Sequence, residues 1–210
     1  MRDDYSELVQ IAARRYWDTD SADEAAKVLK PALDAHSVDA YEYLIGCLLV
    51  EERTEEAKHY ANVVLETAAT DRELLAICTM CRNDVFSRLA FDQHAIHRTA
   101  LLALARKGNA VIQTEIALYS LRGDFGFSKS DDEFELWIRK AIGATEQIEP
   151  VCHLVEYLLD RQRTIEPALI DRLQRAAADE PDWIELRALY RRAHQSTLKV
   201  PPSDSLRGDA

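Results

Sequence analysis

Residues 109–144 contain two amphipathic helical patterns joined by a segment with two glycines. Apolar side chains recur at helical spacing in both halves, around Ile116 in the first and around Trp137 in the second. Gly123 and Gly126 interrupt the pattern between them, which predicts a helix hairpin. One hairpin cannot bury two apolar faces on its own. The segment must therefore stack on similar neighbours, as the units of a helical solenoid do.

This hairpin resembles the Sel-one-like repeat, a relative of the tetratricopeptide repeat. The family pattern runs from a tyrosine through a glycine-containing loop and an acidic residue to an alanine, an aromatic residue and a terminal alanine. The residues that match it here are Tyr119, Gly123, Gly126, Asp131, Trp137, Lys140 and Ala141. The loop is about two residues longer than the usual one, Ile116 stands where the family has glycine, and Phe134 stands where it has alanine. The resemblance implies a right-handed α-solenoid with a concave protein-binding surface.

Similar spacing recurs along the rest of the chain. The predicted hairpins are Asp4–Ala35, Asp39–Ala69, Asp71–Lys107, the central unit 109–144 and Glu149–Asp179, followed by a capping helix over Asp182–Gln195. Only 6 Gly and 6 Pro in 210 residues also favour helices throughout. We therefore predict an all-α fold, a right-handed solenoid of about five antiparallel hairpins plus a C-terminal cap. Residues 1–195 are expected to form a single domain and residues 196–210 a disordered tail.

Several local expectations follow from single residues. Pro31 lies inside a helical pattern, which predicts a kink or an early helix end. Gly46 within a helix suggests a close helix crossing. Ser130 or Asp131 is expected to cap the second helix of the central hairpin. Residues 82–92 are compatible with either a loop or a helical extension.

The charge balance bears on the class of partner. The net charge is −11, from 37 acidic and 26 basic residues, which disfavours a nucleic-acid ligand because binding phosphates needs a basic face. Another protein is the better electrostatic match, with a basic toxin or effector as one candidate, although the charge also serves solubility. We expect the chain to be cytoplasmic, to have no membrane span and to keep its four cysteines reduced. We also expect no cofactor, and a monomeric or homodimeric state.

The repeat register that the resemblance implies selects side chains for a concave groove. They are Gln10, Arg14, Trp17, Tyr43, Cys47, Arg82, Gln113 and Ser120. Trp, Tyr and Arg are enriched at binding hot spots, so Trp17 and Tyr43 are candidate anchors, with Arg14 and Arg82 as charged donors. The alternative is that Trp17 and Tyr43 close the end of the solenoid.

Two apolar residues stand in the otherwise polar loop of the central hairpin. Phe125 and Phe127 either close over the hairpin or present exposed anchors to a partner.

A cysteine and histidine quartet is the strongest metal candidate. Cys78 and Cys81 are followed after twelve residues by His94 and His97, and thiolate and imidazole are natural zinc ligands. The alternative is core packing, because the two cysteines fall at packing positions of the repeat and free cysteine is a small buried hydrophobe.

Local signatures of an enzyme are weak in this chain. No cysteine or histidine lies in a nucleophile motif, and the glycines do not form a phosphate-binding loop. We therefore predict a non-enzymatic protein–protein interaction module, with an immunity or inhibitor protein for a bacterial toxin as one specific role. The alternative is an adaptor or regulatory module with a structural zinc site at the Cys/His quartet.

Overall fold

A computed structural model describes residues 5–198, and within this range the chain forms twelve helices and no strand. The predicted all-α fold is confirmed. The helices are α1 Ser6–Thr19, α2 Ala22–Asp34, α3 Val38–Val50, α4 Thr54–Thr67, α5 Asp71–Arg82, α6 Val85–Arg88, α7 Gln93–Arg106, α8 Ala110–Arg122, α9 Asp131–Ala144, α10 Glu149–Asp160, α11 Pro167–Asp179 and α12 Ile184–Leu198. In this part of the chain, no helix combines the length and the apolar character needed to cross a membrane.

Neighbouring helices pack in pairs, as the hairpin pattern predicts. α1 packs on α2, α3 on α4, α5 on α7 and α8 on α9, and the paired elements coincide with the first four predicted hairpins. The start of the first hairpin, at Asp4, lies outside the described residues. The chain divides into two compact units, Met1–Lys107 and Gly108–Ala210.

The first unit is centred on α3, which contacts α1, α2, α4 and α5. This role follows from its sequence, because α3 carries apolar side chains around most of its circumference and only Asp39 and Glu42 are charged. Its buried residues are Val38, Ala40, Tyr41, Leu44, Ile45, Cys47, Leu48 and Leu49. A helix of this kind has to be covered on several sides by its neighbours.

A charged junction joins the end of α3 to the start of α2. The carboxylate of Glu51 accepts a hydrogen bond from the backbone N–H of Ala22, one of the donors that a helix start leaves unpaired. Arg53 pairs with Glu51 at 3.1 Å and with Asp23 at 2.9 Å. These contacts fix the first two hairpins against each other.

The second unit has its own core of apolar side chains from α8 to α12. Its fully buried members include Ala117, Phe134, Ile138, Val151, Leu154, Val155, Leu173 and Ala193. The terminal helix α12 contacts both α11 and α10, so it packs on the preceding helix pair. α12 extends to Leu198, which means that residues 196–198 of the predicted tail are helical, while residues 199–210 lie outside the described residues.

Several local expectations can be compared with the structure. Ser130 caps α9 by accepting a hydrogen bond from the Glu133 N–H at 3.1 Å, as predicted. Of the two expectations at Pro31, a kink or an early helix end, the early end is wrong, because α2 continues to Asp34 and the exposed proline lies in its last turn. Residues 82–92 contain the short helix α6 between two connectors.

The expected close helix crossing at Gly46 is also wrong. A Cβ atom added at Gly46 would meet no other atom within 4 Å. Gly46 instead borders an open space between helices, and that space is the candidate site.

Candidate functional site

A groove of about 640 Å³ lies between α1, α3 and α6 in the first unit. We call it the α1/α3/α6 groove. Its lining residues are Val9, Tyr16, Trp17, Asp39, Glu42, Tyr43, Gly46, Cys47, Val50, Val85 and Arg88. Its size lies within the range of sites that receive small molecules or side chains, and most of its wall is apolar.

The first wall of the groove is α1, a helix that the fold covers only in part. Ala12 is its fully buried residue, whereas the side chain of Trp17 is 79% exposed. An exposed tryptophan gains little from folding, since burial of its apolar area is what would stabilise it. Its position at an open groove is therefore a signal for binding.

The second wall is α3, whose side toward the groove includes the buried Cys47 and the partly exposed Tyr43. Tyr43 and Cys47 are one helical turn apart and line the groove together. Burial raises the pKa of the Tyr43 hydroxyl, and the neighbouring Cys47 thiol adds to the shift. Burial also raises the pKa of the Cys47 thiol, so that this cysteine is protonated at neutral pH and is a poor nucleophile. Val50, at the end of α3, is 68% exposed.

The third wall is the four-residue helix α6. It begins after Asp84, which has a left-handed backbone with φ of 56°. Phe86 is fully buried and anchors the helix in the core, stacking edge-on against Phe91 with ring centroids 6.0 Å apart. Val85 and Arg88 are the two α6 residues that line the groove.

The groove contains three of the predicted site residues and leaves out three others of the first unit. Trp17, Tyr43 and Cys47 line it together. Gln10, Arg14 and Arg82 are exposed but are not among the lining residues. Arg88 is the positively charged side chain of the groove, in place of the predicted Arg14 and Arg82.

The predicted groove residues of the second unit do not form a comparable surface. Gln113 is 5% exposed and Ser120 is fully buried. The Ser120 hydroxyl donates to the Glu133 carboxylate at 3.3 Å, because α9 packs over this face of α8. Both residues are therefore buried, where a partner does not reach them.

The two phenylalanines in the loop between α8 and α9 pack on Tyr119. The ring centroids of Tyr119 and Phe125 are 4.7 Å apart, and those of Tyr119 and Phe127 are 6.0 Å apart. Phe127 is buried, whereas Phe125 stays 41% exposed. Phe127 thus closes over the hairpin, and only Phe125 offers a surface to a partner.

The four residues of the predicted zinc quartet do not converge. Cys78, Cys81 and His97 are buried, while His94 is exposed. Within residues 5–198, no group of three or more His, Cys, Asp or Glu side chains is arranged to hold a metal ion. Burial and the neighbouring Cys78 raise the pKa of Cys81 to about 12, which keeps its thiol protonated. Cys78 and Cys81 belong to the buried core of the first unit.

A smaller depression of about 340 Å³ lies on α8 and α10 of the second unit. Its rim mixes cations and carboxylates, including Arg122, Lys129, Glu156 and Asp160. Arg161 also lines it, but Asp131 already holds this guanidinium at 2.7 Å. The mixed charge does not single out a ligand class.

Some groove residues escape sequence reasoning. Glu42 and Val9 lie one position from predicted residues, and only the packing of α1 against α3 shows that they face the same space. Val85 and Arg88 come from α6, whose sequence is too short for a periodic signal.

Comparison with known proteins adds no relative: no family model, curated protein or solved structure matches this chain.

Proposed function

We propose that this chain is a non-enzymatic protein-binding module whose α1/α3/α6 groove receives a segment of a partner protein. The exposure of Trp17 at the groove is the observation that carries this proposal. A tryptophan that is 79% exposed does little for folding, yet it is the residue type most enriched at binding hot spots. A partner that covers it recovers the hydrophobic stabilisation that the fold forgoes.

The remaining lining residues fit the same role. Val50 adds a second exposed apolar side chain, and Tyr43 combines an aromatic ring with a polar end. Gly46 keeps the wall between them open, because it adds no side chain there. A helix or an extended strand with two or three apolar side chains matches a groove of this kind.

Charge favours a basic partner. The chain has a net charge of −11, and two carboxylates, Asp39 and Glu42, line the groove. Such a field accelerates association with positively charged proteins. Together with the resemblance to Sel-one-like repeats, this supports the narrower proposal of an adaptor or of an immunity protein that occludes a basic bacterial toxin.

The experiment compares two exposed apolar side chains, one inside the groove and one outside it. Trp17 is 79% exposed in the groove, and Ile184 is 74% exposed at the start of α12 in the second unit. Partners captured by wild type from cells of the source organism are purified, and their affinity is measured for wild type, Trp17→Ala and Ile184→Ala. We expect Trp17→Ala to weaken binding at least about tenfold, as hot-spot truncations do. Ile184→Ala should bind like wild type.

Both variants are expected to keep the wild-type helical circular dichroism and melting temperature, because neither side chain is buried. Binding that is unchanged by Trp17→Ala, or lowered equally by both substitutions, would contradict a groove-centred interface.

A further inference from the structure

One carboxylate of the α1/α3/α6 groove has no partner within the described chain. Asp39 and Glu42 both line the groove, three residues apart on α3. Asp39 is ion-paired with Arg72, so its charge is compensated. Glu42 makes no hydrogen bond or ion pair with any residue of the range 5–198.

The surroundings of Glu42 make this absence costly. Its side chain is half-buried next to the apolar wall, and burial raises the pKa of its carboxyl, with the nearby negative charge of Asp39 adding to the shift. A partly desolvated carboxylate loses hydration, and only a counter-charge or hydrogen-bond donors replace it. Arg88 is the one cation among the lining residues, and it is not ion-paired with Glu42.

We infer that the groove recognises a lysine or arginine side chain of the partner segment, which pairs with Glu42 while adjacent apolar side chains pack on Trp17. This inference rests on the proposed function and names the chemistry of the occupant. The apolar surface supplies affinity and the unpaired carboxylate supplies specificity, because a partner without the cation would bury Glu42 without compensation. An acidic side chain at that position would be repelled by the Glu42 carboxylate.

Small amphiphilic probes test this inference before any partner is identified. 2-Phenylethylammonium carries an aromatic ring and a cation, and 2-phenylethanol carries the same ring with a neutral hydroxyl. Each is titrated into ¹⁵N-labelled protein, and the amide signals of the lining residues and the indole signal of Trp17 are followed. We expect the cation to shift these signals with a dissociation constant at least about fivefold lower than that of the alcohol.

Two charge-matched variants locate the effect. Glu42→Gln keeps the shape of the side chain and removes its charge, whereas Glu66→Gln makes the same change at an exposed position of α4. Both variants lower the net negative charge by one, so the long-range field changes equally. We expect Glu42→Gln to abolish the preference for the cation and Glu66→Gln to retain it.

The outcomes separate this inference from the proposed function. Equal affinity of the two probes in wild type, a preference that survives Glu42→Gln, or groove signals that respond to neither probe would each overturn the role of Glu42. A partner interaction that depends on Trp17 but tolerates Glu42→Gln would leave the binding groove in place and remove only the lysine or arginine specificity. Loss of the Trp17 dependence would instead remove the proposed function itself.

Discussion

At the scale of single residues, Gly46 shows how a local cost creates space. Glycine inside a helix is less stable than alanine by roughly 0.5–1 kcal/mol, and no neighbouring atom requires the absence of a Cβ at this position. The cost therefore has no compensation in packing. The glycine instead leaves the groove open, because a larger side chain would occupy part of the space that the lining residues enclose.

The substitution Gly46→Ala should consequently stabilise the fold. We expect the free energy of unfolding to rise by about 0.5–1 kcal/mol, because the helix gains propensity and the new methyl group meets no clash. Urea denaturation followed by circular dichroism measures it. Gly123→Ala provides the contrast: Gly123 has φ of 80°, so the same substitution there should destabilise by about 1 kcal/mol. A Gly46→Ala variant as unstable as Gly123→Ala would contradict the open space at position 46.

Sequence reasoning at the scale of residues selected some of the side chains that line the groove. The repeat register that the resemblance implies selected Trp17, Tyr43 and Cys47, and the structure places all three at the α1/α3/α6 groove. The register also placed Ser120 in the groove, but Ser120 is buried. A register defines a face of a helix but not what covers that face, and α9 covers this face of α8. The register also missed Glu42, since only the burial of a carboxylate without a partner distinguishes it from an ordinary surface acid.

At the scale of elements, the caps explain why the helix boundaries were predictable. α5 begins with a capping box in which the Thr70 side chain accepts from the Glu73 N–H at 3.3 Å. The Glu73 carboxylate accepts in return from the N–H groups of Ala69 and Thr70, each at 2.8 Å. Three donors at the helix start are thereby satisfied.

Removal of this cap should cost stability. We expect Thr70→Ala to lower the free energy of unfolding by about 1 kcal/mol, because the Glu73 N–H loses its acceptor. Thr79→Ala is the control on the same helix: Thr79 is exposed, and its hydroxyl donates to the Leu75 carbonyl within the helix. Since alanine favours the helix interior, that variant should be as stable as wild type or slightly more stable. Equal losses in thermal melts of the two variants would argue against the cap.

The elements that the sequence failed to predict are those without a periodic signal. α6 has four residues, fewer than two helical turns, and its existence depends on burial of Phe86 and on the left-handed residue Asp84. The expectation of an early helix end at Pro31 failed because this proline lies only three residues before the end of α2 and removes one hydrogen bond there. The buried residues Leu29 and Ala32 on either side hold the last turn in place.

At the scale of the whole molecule, one buried histidine links stability to pH. His97 is 1% exposed, and burial lowers its pKa to about 4, with the nearby charges of Arg82 and His94 adding to the shift. The ordinary histidine pKa is near 6.5, so between pH 6.5 and 4 the unfolded chain binds a proton that the folded chain does not. Stability is therefore complete above pH 6.5 and falls as the pH decreases towards 4.

We expect the free energy of unfolding to fall by about 1 kcal/mol per pH unit across this window on account of His97. His97→Gln removes the titrating group, so the difference between wild type and variant isolates it from the carboxyl groups. Urea denaturation at several pH values from 4 to 7 provides the measurement. Parallel curves for the two proteins would show that His97 does not carry the pH dependence.

The central claim is that the α1/α3/α6 groove is where this chain contacts its partner, and site-specific photo-crosslinking tests it most directly. A benzophenone amino acid replaces Val50 in the groove or Ile184 outside it, both of which are exposed. The two proteins are irradiated with the purified partner at a concentration near the dissociation constant. We expect a covalent adduct from position 50 and none above background from position 184. An adduct from position 184 alone, or equal yields from both, would contradict the claim.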